Sequence, residues 1–130
     1  MRRQIAQVQE FHETFGVHVG NKPTAGIPAE LAAMRATLMQ EELNEYKAAC
    51  ENGDIVEIAD ALTDLLYVVF GTVVTHGLQD VAEDLFDEVH RSNMSKLDEN
   101  GEPIYRNDGK VLKSDLFSQP DLTSILSGHE

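Results

Sequence analysis

Positive charge is scarce in this chain: 10 lysines and arginines stand against 23 aspartates and glutamates in 130 residues, a formal net charge of −13. Such a field repels nucleic-acid backbones and anionic lipid unless a local patch or bound cations reverse it, so no nucleic-acid or membrane partner is expected. Cysteine occurs once, at Cys50, which excludes an intrachain disulfide and favours an intracellular setting. Long apolar runs are missing too. The longest, Leu65 to Phe70, is far too short to cross a bilayer and follows closely on Asp60 and Asp64. The N-terminus, Met1-Arg2-Arg3, runs on into Gln-, Glu- and His-containing sequence without the apolar segment of a secretory signal. A cytoplasmic location is the expectation.

Several catalytic signatures are also absent. No glycine-rich loop ends in Lys-Ser or Lys-Thr, which excludes P-loop chemistry. No Glu-x-x-His pair occurs, which argues against a di-iron carboxylate bundle. Ser, Cys and His form no recognisable nucleophilic set, and His12, His18, His76 and His90 are scattered rather than spaced as metal ligands. There is no internal repeat and no low-complexity segment.

What is present is helical periodicity. Ile5, Val8, Phe11 or His12, and Phe15 recur at helical spacing and predict a first helix over roughly residues 2–15, ended by Gly16. Residues 16–28, with Gly16, Gly20, Pro23, Gly26 and Pro28, read as a loop that could serve as a lid beside a site. A second helix runs from Ala29, with the stripe Leu31, Met34 and Leu38, to the stop at Asn52-Gly53. Asp54 is placed to cap a third, which continues through Ile55, Ile58, Leu62, Leu65, Leu66, Val69 and Val73 to His76-Gly77. Asp80 is placed to cap a fourth, apolar at Val81, Leu85, Phe86 and Val89, whose side carrying Glu83, Asp84, Asp87 and Glu88 reads as solvated surface. Ile104-Tyr105 and Val111-Leu112 flank Asn107-Asp108-Gly109, a hairpin signal. Pro120 to Glu130 reads as polar and partly disordered, with a turn of helix.

The length suits one domain, 1–130, with a helical core over about 2–97 and a tail over 98–130. The fold class is therefore all-α: a four-helix bundle with a short C-terminal hairpin or irregular tail. Helix three carries apolar residues around most of its circumference, Leu62, Leu65 and Val69 on one side and Tyr67, Val68 and Val74 elsewhere. A helix of that kind must be buried all round, so the bundle is expected to be completed by oligomerisation, as a homodimer or homotetramer.

The most informative residues are acids that occupy positions the apolar stripe assigns to the core. Glu42 and Glu45 are three apart and Glu41 and Glu45 four apart, so they share a face that extends the line of Leu31, Met34 and Leu38. Glu57, Asp60 and Asp64, three and four apart, share one side of helix three. Counting outward from Gly53 at roughly 1.5 Å per residue sets Glu45 level with Asp60 and Glu42 level with Asp64. Lys47 is the only lysine or arginine between Arg35 and Arg91, too few cations for an ion-pair network. Divalent cations turn such repulsion into coordination, and an all-oxygen set suits Mg²⁺, with Mn²⁺ as second choice.

Glu41-Glu42-Leu43-Asn44-Glu45 resembles the EExxE motif of MazG-like and phosphoribosyl-ATP pyrophosphohydrolase-like proteins, and Glu57-Ile58-Ala59-Asp60 resembles their ExxD. The likeness covers roughly residues 30–97, including Asp64-Leu65-Leu66-Tyr67 and the Glu88 to Lys96 stretch. It implies an all-α fold, oligomeric assembly, and Mg²⁺-dependent hydrolysis of a nucleoside triphosphate, dUTP or another non-standard nucleotide among the candidates, to monophosphate and pyrophosphate. It also implies Glu42, Glu45, Glu57 and Asp60 as metal ligands, with Glu41 orienting or deprotonating the attacking water. One departure is that only eleven residues separate Glu45 from Glu57, fewer than usual between these motifs. Asp64 could instead supply the motif's aspartate, and is otherwise assigned to substrate contact.

Arg91, Asn93 and Lys96 gather donors and cations at the end of helix four and are candidates for phosphate binding; Arg91 and Lys96 could equally just complement a negative helix C-terminus. The alternative to an enzyme is a non-catalytic helical module that binds metal or nucleotide, or pairs with another helical protein.

Overall fold

The computed structural model describes residues 1–129; of the tail, Glu130 lies outside the described residues. Helix α1 spans Arg2–Phe15, α2 Ala29–Asn52, α3 Ile55–Thr75, α4 Ala82–Met94 and α5 Leu122–Ser127, while β1 (Ile104–Tyr105) and β2 (Val111–Leu112) form the one two-stranded antiparallel sheet among the described residues. The fold is all-α apart from that hairpin. Contacts divide the chain into two compact units, Met1–Asp80 and Val81–Glu130.

In the first unit the breaks fall where backbone chemistry puts them. Gly16 and Gly53 end α1 and α2 in the left-handed conformation that glycine adopts without a Cβ penalty. Asp54 caps α3, its carboxylate accepting the backbone N–H of Val56 at 2.8 Å and of Glu57 at 3.3 Å. With only Gly53 and Asp54 between them, α2 and α3 fold into a helical hairpin, and α3 packs against both α2 and α1.

The buried face of that packing is made of small residues. Ala49 of α2 and Ala61, Gly71, Val74 and Thr75 of α3 are buried, with Ile5, Val8 and His12 of α1. The larger apolar residues assigned to the stripe, Met34, Leu62 and Val69, lie on exposed positions instead. Arg35, next to Met34, is the residue that turns inward and is only 6 % exposed. Its Nε donates to Thr72 Oγ1 at 3.2 Å and its Nη2 to the Val68 carbonyl at 2.9 Å. Burial lowers its pKa, and no carboxylate pairs with it among the described residues. Gly71 makes the space: a Cβ there would lie 2.3 Å from Arg35 Nη2 and 3.0 Å from His12 Nε2.

By length and composition α3 is long and apolar enough to cross a membrane, with a mean hydropathy of 1.6 over its best window, although no such helix was expected from the Leu65–Phe70 run. Three carboxylates, Glu57, Asp60 and Asp64, lie along it, and ionised groups of that kind cost about 2.5–3.5 kcal/mol each at a bilayer centre. Only 28 % of that window is buried within the chain, so a broad apolar surface is left uncovered.

The 16–28 loop, a candidate lid, is fastened to the C-terminal end of α3. Gly20 N–H donates to Val74 O, Thr24 N–H to His76 O, His76 Nδ1–H to Thr24 O and Gln79 Nε2 to Gly20 O. That end is opposite the half of α3 that carries the carboxylates. The loop crosses Gly77 so closely that a Cβ there would collide with the Lys22 carbonyl.

In the second unit α4 starts later than expected. Asp80 caps nothing: Val81 holds the N-cap position without a side-chain bond. The tail is tied to α4 by hydroxyls and backbone groups. Ser92 Oγ donates to Ser118 O at 2.8 Å, Ser118 N–H donates to Ser95 Oγ at 2.9 Å, and Asp121 N–H donates to Glu88 Oε1 at 3.1 Å. Of the stretch expected to be partly disordered, residues 121–128 are folded, and the turn of helix expected there is α5, capped by Asp121.

Candidate active site

The α2–α3 hairpin opens into a cleft of about 460 Å³. Its polar walls are Glu42, Glu45 and Asn52 from α2 and Glu57, Asp60 and Asp64 from α3. Ala48, Ala49 and Ala61 form the rest of the lining, and their small side chains leave room between the helices for a ligand. Five carboxylates thus share one cavity without a lysine or arginine in its wall.

The electrostatics follow. Partial burial pushes the Glu42 carboxyl above the ordinary glutamate range, and the charges of Asp64, Glu45, Glu41 and Asp60 add to it in that order. Asp64 therefore acts on Glu42 more strongly than any other acid, in keeping with their equal height from the Gly53 turn. Glu41 is exposed and outside the cleft lining, at its margin, yet close enough for its charge to reach Glu42. Asn52, the last residue of α2, reaches over the turn and donates through Nδ2 to Glu57 Oε2 at 2.9 Å.

The donor set fits a hard divalent cation by its chemistry, because every polar group lining the cleft offers oxygen and the net charge is strongly negative. Among the described residues, however, no three acidic, histidine or cysteine side chains converge as a finished metal-holding group. Most of the cleft carboxylates are exposed and form no ion pair among the described residues, so their side chains can rotate.

Arg91, Asn93 and Lys96 belong to the second unit. The Arg91 guanidinium grips Glu88 through both its Nε and Nη2, at 2.7–3.0 Å, and also donates to Gln119 O at 3.1 Å. That pairing holds Glu88 below the usual carboxylate range and raises Arg91. Asn93 is exposed, and Lys96 is half-buried with its backbone N–H on the Asn93 carbonyl.

Sequence reasoning passed over Asn52 and Arg35. In the sequence Asn52 reads only as part of the helix stop, and the signal for its further role is its position five residues before Glu57 across a two-residue turn. Arg35 stands seven residues before Glu42, on the same face of α2.

No curated protein matches the chain at a significant level. A family profile described as phosphoribosyl-ATP pyrophosphohydrolase matches residues 8–93, which contain the second half of α1, all of α2 and α3, all but the last residue of α4, and every acid of the cleft. The chain belongs to the phosphoribosyl-ATP pyrophosphohydrolase family, a family of MazG-like nucleotide pyrophosphohydrolases.

Proposed function

We propose that the chain hydrolyses a nucleoside triphosphate to the monophosphate and pyrophosphate in a Mg²⁺-dependent reaction at the α2–α3 cleft. The observation that carries this reading is the gathering of Glu42, Glu45, Glu57, Asp60 and Asp64 in one cavity of a pyrophosphohydrolase-family chain. Glu42, Glu45, Glu57 and Asp60 hold the cation through carboxylate oxygens, and Asp64 sits where it can join them or meet the substrate. Bound to such a set, Mg²⁺ or Mn²⁺ supplies Lewis acidity: it lowers the pKa of water and neutralises charge on the leaving pyrophosphate.

Glu41 accepts the proton. From the exposed margin of the cleft its carboxylate takes one hydrogen from a water whose oxygen attacks the α-phosphorus, as the bond from that phosphorus to the bridging oxygen breaks and pyrophosphate leaves. Asn93 and Lys96 are the second unit's candidates for binding an anion, and Arg91, whose Nε and Nη2 are engaged by Glu88 and Gln119, keeps its Nη1 N–H groups to offer.

The assembly belongs to the same proposal. Leu62, Leu66 and Tyr67 of α3 are exposed with Phe11 and Phe15 of α1, and Phe11 touches both Phe15 and Tyr67 ring to ring. A second copy of this chain, as dimer or tetramer, covers that face. The reaction is tested by pyrophosphate release from a panel of triphosphates, dUTP and phosphoribosyl-ATP included, with and without Mg²⁺. Release that requires the metal supports the reading. Metal or nucleotide binding without release from any member would leave a binding module in its place.

A further inference from the structure

We infer that Asn52 is a positioning residue for the cation site: its side-chain amide holds the Glu57 carboxylate in the cleft, with one oxygen engaged and the other turned to the ligand. The inference rests on the cleft reading above. Its own ground is the 2.9 Å bond from Asn52 Nδ2 to Glu57 Oε2, made by a residue that lines the same cavity.

Glu57 needs such a partner more than the other acids do. It lies in the first turn of α3, is exposed, and has no basic side chain against it. A free glutamate there samples many rotamers, most of them pointing to water. One amide N–H on Oε2 selects an orientation and leaves Oε1 unoccupied. The donor is suitably neutral: a lysine or arginine at position 52 would also hold Glu57, but it would cancel the charge a cation needs. Groups that orient metal-ligating carboxylates in this way commonly carry a 10–100-fold effect on metal affinity.

The geometry of the turn explains how Asn52 reaches. Left-handed Gly53 reverses the chain directly after it, and Asp54 fixes the start of α3 by accepting the N–H of Glu57 itself. The backbone of Glu57 is thus set by Asp54 and its side chain by Asn52. A purely structural role would pin the hairpin turn, and its loss would then lower the melting temperature and leave cation binding alone.

The experiment titrates Mn²⁺ into the chelator-treated protein, reading free Mn²⁺ by electron paramagnetic resonance and stability by thermal melting. Asn52→Ala should weaken Mn²⁺ binding roughly 10–100-fold with little change in the metal-free melting temperature. Asn52→Ser, too short to reach Glu57, should behave the same. In a Glu57→Gln background, itself weakened, Asn52→Ala should have no further effect. Affinity within about twofold of the original in Asn52→Ala, beside a strong loss in Glu57→Gln, would overturn the role of Asn52 and leave the cleft reading intact. An equal loss in both backgrounds would also overturn it, since Asn52 would then act independently of Glu57. Unchanged affinity in Glu57→Gln would remove Glu57 from the site and the cleft reading with it.

Discussion

Gly71→Ala should be destabilising for one identifiable reason, and that reason can be removed by a second substitution. Alanine is favoured over glycine within a helix by about 1 kcal/mol, so at an open position the change would stabilise α3. Here the new Cβ would stand 2.3 Å from Arg35 Nη2, far inside contact distance. The guanidinium must withdraw, which breaks its bonds to Thr72 Oγ1 and the Val68 carbonyl while it stays largely enclosed. Hydrogen bonds from a charged group contribute about 1.5–3 kcal/mol each. The net cost, after the helix-propensity gain, is about 2–5 kcal/mol, or roughly 10–15 °C in Tm for a chain of this size. With Arg35→Ala already present the obstacle is gone. Gly71→Ala should then be neutral or stabilising by up to about 1 kcal/mol, with His12 Nε2, at 3.0 Å, the one neighbour left to adjust. Urea denaturation of the four proteins at one protein concentration measures the cycle. The same cost for Gly71→Ala in both backgrounds, within about 0.5 kcal/mol, would refute the account of Gly71 as clearance for Arg35.

Mg²⁺ at millimolar concentration should raise the melting temperature of the chelator-treated protein, since a cation held only by the folded cleft stabilises it by linkage, and an unshifted transition in a fluorimetric melt would count against the site. In metal-free buffer Glu42→Gln should stabilise the protein at neutral pH. A carboxyl whose pKa is raised on folding binds its proton more tightly in the folded state, so stability falls as pH rises through the window from the ordinary glutamate value to the raised one, and the penalty persists above it. The benefit of Glu42→Gln should therefore vanish below the ordinary glutamate pKa, and a benefit equal at acid and neutral pH in melts would exclude charge as its cause. Because Asp64 is the strongest charge on Glu42, Asp64→Asn should bring the Glu42 carboxyl down further than Asp60→Asn does, read from carboxyl-carbon chemical shifts; the reverse order would contradict the facing of Glu42 and Asp64. Light scattering at micromolar concentration should give at least a dimer, and a monomer would leave the exposed Leu62, Leu66 and Phe15 unexplained.

Helix identity and most helix ends were legible because they depend on local chemistry: Gly16 and Gly53 in left-handed conformation, and Asp54 as a cap. The start of α4 was not. Asp80 has the right chemistry for a cap, but the backbone turns for one more residue before the helix begins, and nothing in Asp80 itself reveals that. The core of the single chain was legible only in part. Periodicity marks large apolar residues such as Met34, Leu62 and Val69, and for α3 the expectation was that a second copy completes their burial. Close approach of the helices selects small ones instead, so Ala49, Ala61 and Gly71 are buried and the larger residues are left on the uncovered face. Arg35 was illegible because charge predicts exposure, and only a glycine opposite it makes burial sterically feasible. The acids of the cleft stood out because charge in an apolar stripe is anomalous wherever it occurs. Arg91 read as a free helix-end cation, although Glu88, three residues earlier, is its natural partner on a helix and holds it in the structure.

The most direct test of the cleft as the seat of reaction is Glu45→Gln, which keeps the shape of a cleft-lining side chain and removes its charge. Calorimetric Mg²⁺ titration and steady-state pyrophosphate release are measured together on this variant and on Glu41→Gln. Glu45→Gln should lose metal affinity and turnover together. Glu41→Gln should retain much of the affinity and lose roughly 10²–10⁴ in rate, as expected for removal of a general base. Near-normal hydrolysis by Glu45→Gln would contradict the two-helix metal site.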